Sequence, residues 1–529
     1  MENPNPKPTD ATSTLSESQE VPQLVPSPNR PHNMTIYRDI EKLYRCNKTS
    51  ARRRLEKLGK KFKDLFSEGA THLVRVPGQL RVPAEQVDAD IFPYQIANLE
   101  SDITIAVGRL QGVDNMLKIY NTEKSKFQGF TFNKSSALNY DDHIYKNYVM
   151  CAMKVVLSLD VETIYDGTLL LIDSNIPAGQ KLGTSLALVT AIVLALLANT
   201  KDISKEKSTV RVPAHVLVEK IISKLELIKE DGSFKVEEAR HSLLAYFYNQ
   251  PDSLYCPVIL EDEPALDLHR YKPKEFPSAP CLIFMETVAG ASRMKENLTK
   301  AKFLLEYRIF LKTIGVDPTS KSKSLLDILS TYHYTVEDLK KFLEDSFDNK
   351  TYTKSKVEEV MNIDLIELLF DIPYSSQVIE SIFTLNPYQT VSQILTLLTH
   401  WLNIKEAVGH QDTTQVKEAV FFEALQGIFS VYETSTLIPS PAVTELIAFL
   451  KDTLKLDRLF FTGRPYCKGI GIFVDKAGYE DVWTGIVEQY FGKNKDDLMM
   501  FDEIERLVVK SSLTPGAAIL NLEQEVWFF

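Results

Sequence analysis

Thr168-Leu-Leu-Leu-Ile-Asp-Ser-Asn-Ile-Pro-Ala-Gly-Gln-Lys-Leu-Gly-Thr-Ser185 reads as a strand, a loop and the first turn of a helix. The apolar run Thr168–Asp173 has strand length, and Pro177, Gly179 and Gly183 punctuate the loop after it. From Leu182 to Thr200 the chain carries no charge, and its continuous apolar part covers about residues 186–198. That part is short for a membrane span and has no neighbouring span, so a buried core helix is expected. A glycine loop that opens a helix can wrap a phosphate with backbone N–H groups, aided by the helix dipole. The same pattern also serves as a plain tight turn.

Outward from this unit, strand hairpins mix with long helices. Residues 72–76 read as a strand running into Pro77-Gly78, and residues 102–109 and 129–132 read as strands too. Helices are expected over 141–158, 214–228 and 236–249, with Lys201–Val212 a polar connector. A strand at 281–287 precedes a mostly helical stretch from Lys295 to Leu454. Strands return at 469–474 and 506–511 around a helix at 480–491. The pattern holds no internal repeat and indicates an α+β fold.

The first 33 residues hold seven prolines among Ser, Thr, Asn and Glu without apolar periodicity, the composition of a disordered tail. Residues 35–68 read as helical. Leu55, Leu58, Phe62, Leu65 and Phe66 share one face, and Arg52, Arg53, Arg54, Lys57, Lys60, Lys61 and Lys63 occupy the other. Such a basic amphipathic helix could grip a partner, a phosphate-rich surface or a nuclear importer, or be the solvated face of a surface helix.

The chain has 529 residues, 44% hydrophobic and 25% charged, which is the composition of a globular protein of two or three domains. Its net charge of −11 gives no long-range pull toward nucleic acid or anionic lipid, so neither direct nucleic-acid binding nor a membrane partner is expected. The five cysteines, Cys46, Cys151, Cys256, Cys281 and Cys467, are scattered and form no CxxC pair. That argues for a reducing compartment and against a disulfide framework or a bound metal. The N-terminus lacks the charged-then-apolar pattern of a signal peptide, and the expected location is the cytoplasm, with the basic helix a means of nuclear entry.

Three stretches together resemble the motifs of galactokinases, members of the GHMP small-molecule kinases. The galactokinase signature Pro-Gly-Arg-Val-Asn-Leu-Ile-Gly-Glu-His-x-Asp-Tyr aligns without a gap on Pro77-Gly78-Gln79-Leu80-Arg81-Val82-Pro83-Ala84-Glu85-Gln86-Val87-Asp88-Ala89. The second motif, Pro-x-Gly-x-Gly-Leu-Ser-Ser-Ser-Ala, aligns on Pro177-Ala-Gly179-Gln-Lys181-Leu182-Gly183-Thr184-Ser185-Leu186. The third, Thr-Gly-Ala-Gly-x-Gly-Gly, aligns on Thr462-Gly463-Arg464-Pro465-Tyr466-Cys467-Lys468, where only the first glycine stays in register. The segment Tyr352–Ile363 and the closing Leu507-Val-Val-Lys-Ser-Ser also resemble fungal galactokinases and their non-enzymatic galactose-sensing relatives, so the similarity runs in order over about residues 40–525.

The resemblance implies a two-domain GHMP kinase fold, with an N-terminal domain over 34–255 and a C-terminal domain over 256–529 that holds a helix-rich insert. A ligand would sit in the cleft between them. It also implies a sugar site at Glu85, Gln86 and Asp88, a nucleotide loop at Gly179, Lys181, Gly183, Thr184 and Ser185, and ATP with Mg as cofactors. Gln86 stands where the family has histidine, and Ala89 where it has tyrosine. The family's assisting arginine is Gln79. Counting back from Leu254-Tyr255, its catalytic aspartate is His241, within Glu238-Ala239-Arg240-His241-Ser242.

Loss of a general base costs about 10²–10⁴-fold, and loss of an arginine on a transferring phosphate about 10³–10⁵-fold. The expected role is therefore a non-catalytic regulator or sensor in galactose metabolism. It would bind galactose or a related sugar, nucleotide, and a protein partner such as a transcriptional regulator of galactose genes. The alternatives are an active ATP-dependent sugar kinase with a rebuilt site, in which Arg81, Lys181 and His241 take over the lost roles, and a ligand-free scaffold.

Overall fold

A computed structural model describes residues 36–37, 43–82, 95–141, 143–159, 165–177, 182–199, 212–228, 236–247, 251–255, 273–286, 293–317, 325–362, 364–366, 368, 380–382, 384–408, 415–434, 441–462, 469–491 and 508–521. The proline-rich stretch 1–33 lies outside them, as does nearly all of the polar connector at 201–212.

The first half runs β1 (Ile36–Tyr37), α1 (Lys48–Phe66), β2 (His72–Val82), β3 (Gln95–Arg109), β4 (Met116–Asn121), β5 (Phe130–Phe132), α2 (Ile144–Leu157), β6 (Asp166–Ser174), α3 (Thr184–Ala198), α4 (Ala214–Leu225) and α5 (Val236–Tyr246). After these come β7 (Ser253–Tyr255), β8 (Pro273–Glu275), β9 (Cys281–Glu286), β10 (Tyr352–Thr353), β11 (Thr384–Leu385), β12 (Leu459–Thr462), β13 (Gly469–Val474), β14 (Val508–Ser512) and β15 (Ala518–Asn521). Between β9 and β12 the described chain is mostly helical, with long helices at Arg293–Thr313, Pro387–Val408 and Glu418–Thr434.

The strands form a nine-stranded mixed sheet and a four-stranded antiparallel sheet, with β10 and β11 a separate small pair. The large sheet has the order β1-β15-β2-β3-β6-β4-β5, with β7 and β8 added beside β3. Its β1–β15 and β4–β6 pairs are parallel and the rest antiparallel. The small sheet has the order β12-β13-β9-β14. The mixture of sheets and helices is α+β, as the strand and helix patterns imply.

Strand periodicity explains the two covered faces of the large sheet. Leu73, Ala106, Leu169 and Leu171 point to one side and pack with Leu55, Leu58 and Phe62 of α1. Val74, Ile105, Val107, Leu170 and Ile172 point to the other and join the main core with α2 and α3. Because both faces are covered, β2 and β3 are buried almost end to end. Gly108 belongs here because a Cβ at that position would lie 2.7 Å from the Phe62 ring. The apolar helix α3 is buried from Ala187 to Ala198, as a helix without a polar face must be. Among the described residues no helix is long and apolar enough to cross a membrane.

Two expectations change at the N-terminal side. Residues 36–37 are a strand, paired with Ile519 and Leu520, and the helix begins only at Lys48. Nothing local in sequence reveals a strand whose partner lies almost at the other end of the chain. Arg54, grouped by periodicity with the exposed cations of α1, instead turns inward and pairs with Asp102 and Asp173 at 2.7 Å each. Arg52, Arg53, Lys57, Lys60, Lys61 and Lys63 remain exposed.

The segment 43–47 lies between the two sheets and is held by charges the core encloses. Asp102 on β3 is fully buried and accepts from the Tyr44 hydroxyl, from Arg54, and from Arg75 Nε at 2.8 Å. Burial works to raise the Asp102 pKa, but the two guanidinium groups outweigh it and hold the carboxylate below its usual range. Glu100, also buried, accepts from the backbone N–H groups of Arg45, Cys46 and Asn47 at 2.7, 2.8 and 3.0 Å.

Candidate functional site

The bulge in β2 between Pro77 and Gln79 turns the strand toward the start of α3. There the Gln79 N–H donates to the Leu182 carbonyl at 2.9 Å. Leu182 is followed by Gly183, which caps α3 with φ +73°, a left-handed conformation that favours glycine. A Cβ on Gly183 would sit 3.3 Å from the Tyr246 hydroxyl and 3.7 Å from Gln79 Cβ. The glycine therefore permits both the turn and the close approach of β2 and α5. Thr184 is half-buried and Ser185 exposed on the first turn of α3.

Helix α5 closes the third side. Gln79 is 4% exposed, and its amide nitrogen donates to the Ser242 carbonyl at 2.8 Å and to Asn98 Oδ1 at 3.2 Å. Asn98 donates in turn to the Ala245 carbonyl at 3.1 Å. These bonds fix the amide orientation and leave Gln79 Oε1 buried with no hydrogen-bond partner among the described residues. The hydroxyl of Tyr246, fully buried, is likewise unpartnered among them, and burial raises its pKa well above the ordinary phenol value. Two buried polar atoms without partners at one helix N-terminus, an amide oxygen that can accept and a hydroxyl that can donate or accept, are uncommon, because each costs free energy unless something hydrogen-bonds to it.

The segments at 77–82, 182–185 and 241–246 are far apart in the sequence and meet at one point. His241 is half-buried on α5, next to the Ser242 carbonyl that Gln79 holds. Arg81 lies two residues beyond Gln79, and its Nη1 is 2.9 Å from Glu238 Oε2 on α5. Glu85, Gln86, Asp88, Gly179, Lys181 and residues 463–468 lie outside the described residues. Sequence reasoning missed Tyr246 and Asn98. Tyr246 sits five residues after His241 in an apolar helix pattern, where a tyrosine reads as core, and only the approach of Gly183 marks its hydroxyl out.

Among the described residues, the two side chains that converge on Gly183, Gln79 and Tyr246, are uncharged. Gln79 presents an amide, and the nearest described cation on its strand, Arg81, has a carboxylate beside it. What the arrangement offers is hydrogen bonding: an amide oxygen, a phenol that can donate, and the N–H groups of the first turn of α3, which have no acceptor within the helix. Among the described residues no group of three or more His, Cys, Asp or Glu side chains could hold a metal ion.

No protein-family model matches the sequence, and no curated protein matches it. Among solved structures the chain is similar to the Lactococcus lactis galactokinase complexed with galactose, at 15% identity over 89% of this chain and 100% of that one, with a TM-score of 0.49. It is similar to the Methanococcus jannaschii mevalonate kinase at 10% identity over 84% of this chain and 99% of that one, with a TM-score of 0.45. It is also similar to a D-glycero-D-manno-heptose 1-phosphate kinase from Bacteriodes thetaiotaomicron at 8% identity over 85% and 99%, with a TM-score of 0.41.

Proposed function

We propose that this chain is a galactokinase-like protein of the GHMP plan in which the phosphate-transfer groups have been replaced. In this reading it acts as a regulator or sensor in galactose metabolism, binding sugar, nucleotide or both and working through a protein partner. The single observation that carries the reading is the Gln79 side chain. It stands where the resemblance puts an arginine, it is neutral, and both of its described amide contacts are internal, to Ser242 and Asn98. A group tied to the backbone of α5 cannot supply the positive charge that a transferring phosphoryl group requires.

Two further observations support the reading. Arg81, the cation two residues along β2 that could take over, pairs with Glu238, which lowers its value as a charge for phosphate. The start of α3, with left-handed Gly183 and a first turn of N–H groups that the helix leaves without acceptors, still suits an anionic oxygen such as a nucleotide phosphate. Binding would then outlast turnover. Sugar and nucleotide would favour a closed form of the cleft, and the partner would recognise that form, a population shift set by differential affinity.

The test is a turnover assay on the pure chain with galactose and Mg-ATP, followed by direct measurement of sugar phosphate. The expected result is no sugar phosphate above the protein-free control. Stoichiometric, enzyme-dependent sugar phosphate would refute the loss of catalysis and return the chain to the sugar kinases.

A further inference from the structure

Cys46 and Cys281 are 235 positions apart in sequence, yet their sulfur atoms lie 3.4 Å from each other. Cys46 belongs to the segment between the sheets, and its backbone N–H is anchored on Glu100 at 2.8 Å. Its neighbour Asn47 donates from Nδ2 to Glu100 at 2.7 Å and to the Lys510 carbonyl of β14 at 2.8 Å. Cys281 opens β9 and pairs across the small sheet with Val474 and Ser512. Both sulfurs are therefore carried on backbone that neighbouring strands hold in place. A disulfide bond is about 2.0 Å long, so the two sulfurs need to approach by only about 1.4 Å.

We propose that Cys46 and Cys281 are an oxidation site, a thiol pair that a hydroperoxide converts to a disulfide and thereby ties the segment 43–47 covalently to the four-stranded sheet. Oxidation removes two electrons and two protons from the pair. The Cys281 thiolate attacks one oxygen of hydrogen peroxide, the O–O bond breaks, and the leaving hydroxide takes up a proton to become water. The Cys46 sulfur then attacks the resulting sulfenic sulfur, the S–O bond breaks, and the second hydroxide leaves with the Cys46 proton as water. Two thiols and one peroxide give one disulfide and two waters.

The geometry favours this order. The Cys46 S–H donates to Cys281, and that bond, against the opposing effects of burial and of Glu100, lowers the Cys281 pKa below the ordinary thiol value. The same bond, with burial, raises Cys46. Cys281 is buried and Cys46 beside it half-buried, so the oxidant this step takes is a small one that enters from the Cys46 side. Because Glu100 and Asp102 of β3 already hold the segment 43–47 to the large sheet, the new bond would fix the two sheets against each other.

The full-length protein, treated with a few equivalents of hydrogen peroxide, is alkylated without reduction, digested with trypsin and mapped by mass spectrometry. The expected product is the peptide Cys46–Lys48 joined to Glu275–Arg293, two hydrogens lighter than the separate peptides and released by dithiothreitol. Cys46→Ser and Cys281→Ser each abolish it. Recovery of Cys46 and Cys281 as alkylated thiols or as sulfinic acids, or bridges from either of them to Cys151, Cys256 or Cys467 in its place, would overturn the proposal. The wild-type map alone decides the question if a variant does not fold.

Discussion

Gln79 and Ser242 are 163 positions apart in sequence, and the Gln79 amide nitrogen donates to the Ser242 carbonyl oxygen across 2.8 Å. This bond fastens β2 to α5 at the start of α3. It leaves the other atom of the amide, Oε1, buried without a partner among the described residues, as is the nearby hydroxyl of Tyr246. A folded chain that needed this point only for packing would gain by removing those polar atoms. Their presence is the structural argument for a ligand.

Tyr246→Phe tests that argument. Removing an unsatisfied buried hydroxyl should leave the free protein equally stable or more stable, by up to about 1–3 kcal/mol. Urea unfolding of the ligand-free variant measures this. The same variant should show a smaller ligand-induced rise in melting temperature than the wild type. If it is destabilised by several kcal/mol, the hydroxyl has a structural partner and the ligand argument fails.

Gly183→Ala addresses the loop. Alanine at φ +73° pays the left-handed penalty of about 1–2 kcal/mol, and its methyl group would meet the Tyr246 hydroxyl at 3.3 Å. The unfolding midpoint should drop accordingly, and a nucleotide-dependent stabilisation should shrink further than that of galactose. An unchanged midpoint would mean that the turn relaxes to an ordinary conformation.

Asp102→Asn tests the buried charges between the sheets. Leaving Arg54 and Arg75 without their shared carboxylate should destabilise the fold by about 3–5 kcal/mol at neutral pH. The pH dependence comes from the lowered pKa. A carboxylate held below its unfolded value of about 3.9 contributes stability above that pH and loses it as the pH falls through the folded value. Wild-type stability should therefore decline below about pH 4 to 5, and the asparagine variant should lack this part of the decline. Parallel slopes for the two proteins between pH 5 and 3 would contradict the assignment.

Periodicity made the centre of the fold legible. The strand at 168–173, the apolar helix after it and the helix from 236 are local patterns and lie within a few residues of β6, α3 and α5. The strand at 102–109 is only the second half of β3, which begins at Gln95 and keeps the polar residues Glu100, Ser101 and Asp102 in the core. Their partners, Tyr44, Arg54, Arg75 and Ser511, come from distant parts of the chain, and local composition holds no trace of such pairings. At the candidate site, alignment alone grouped Gln79, Gly183 and the start of the 241–246 segment. The buried hydroxyl of Tyr246 and the pairing of Arg81 with Glu238 depend on how α5 packs, which no spacing in the sequence records.

The measurement that bears most directly on the central claim is a thermal-unfolding scan of the pure chain with galactose, with Mg-ATP and with both. A ligand that binds only the folded state stabilises it by about 2.7 kcal/mol at 100 times its Kd. A chain that has kept binding while losing turnover should melt at a higher temperature with at least one of these ligands at millimolar concentration, and higher still with both. An unchanged melting temperature in all three conditions would contradict the account and leave a protein that retains the fold without a ligand.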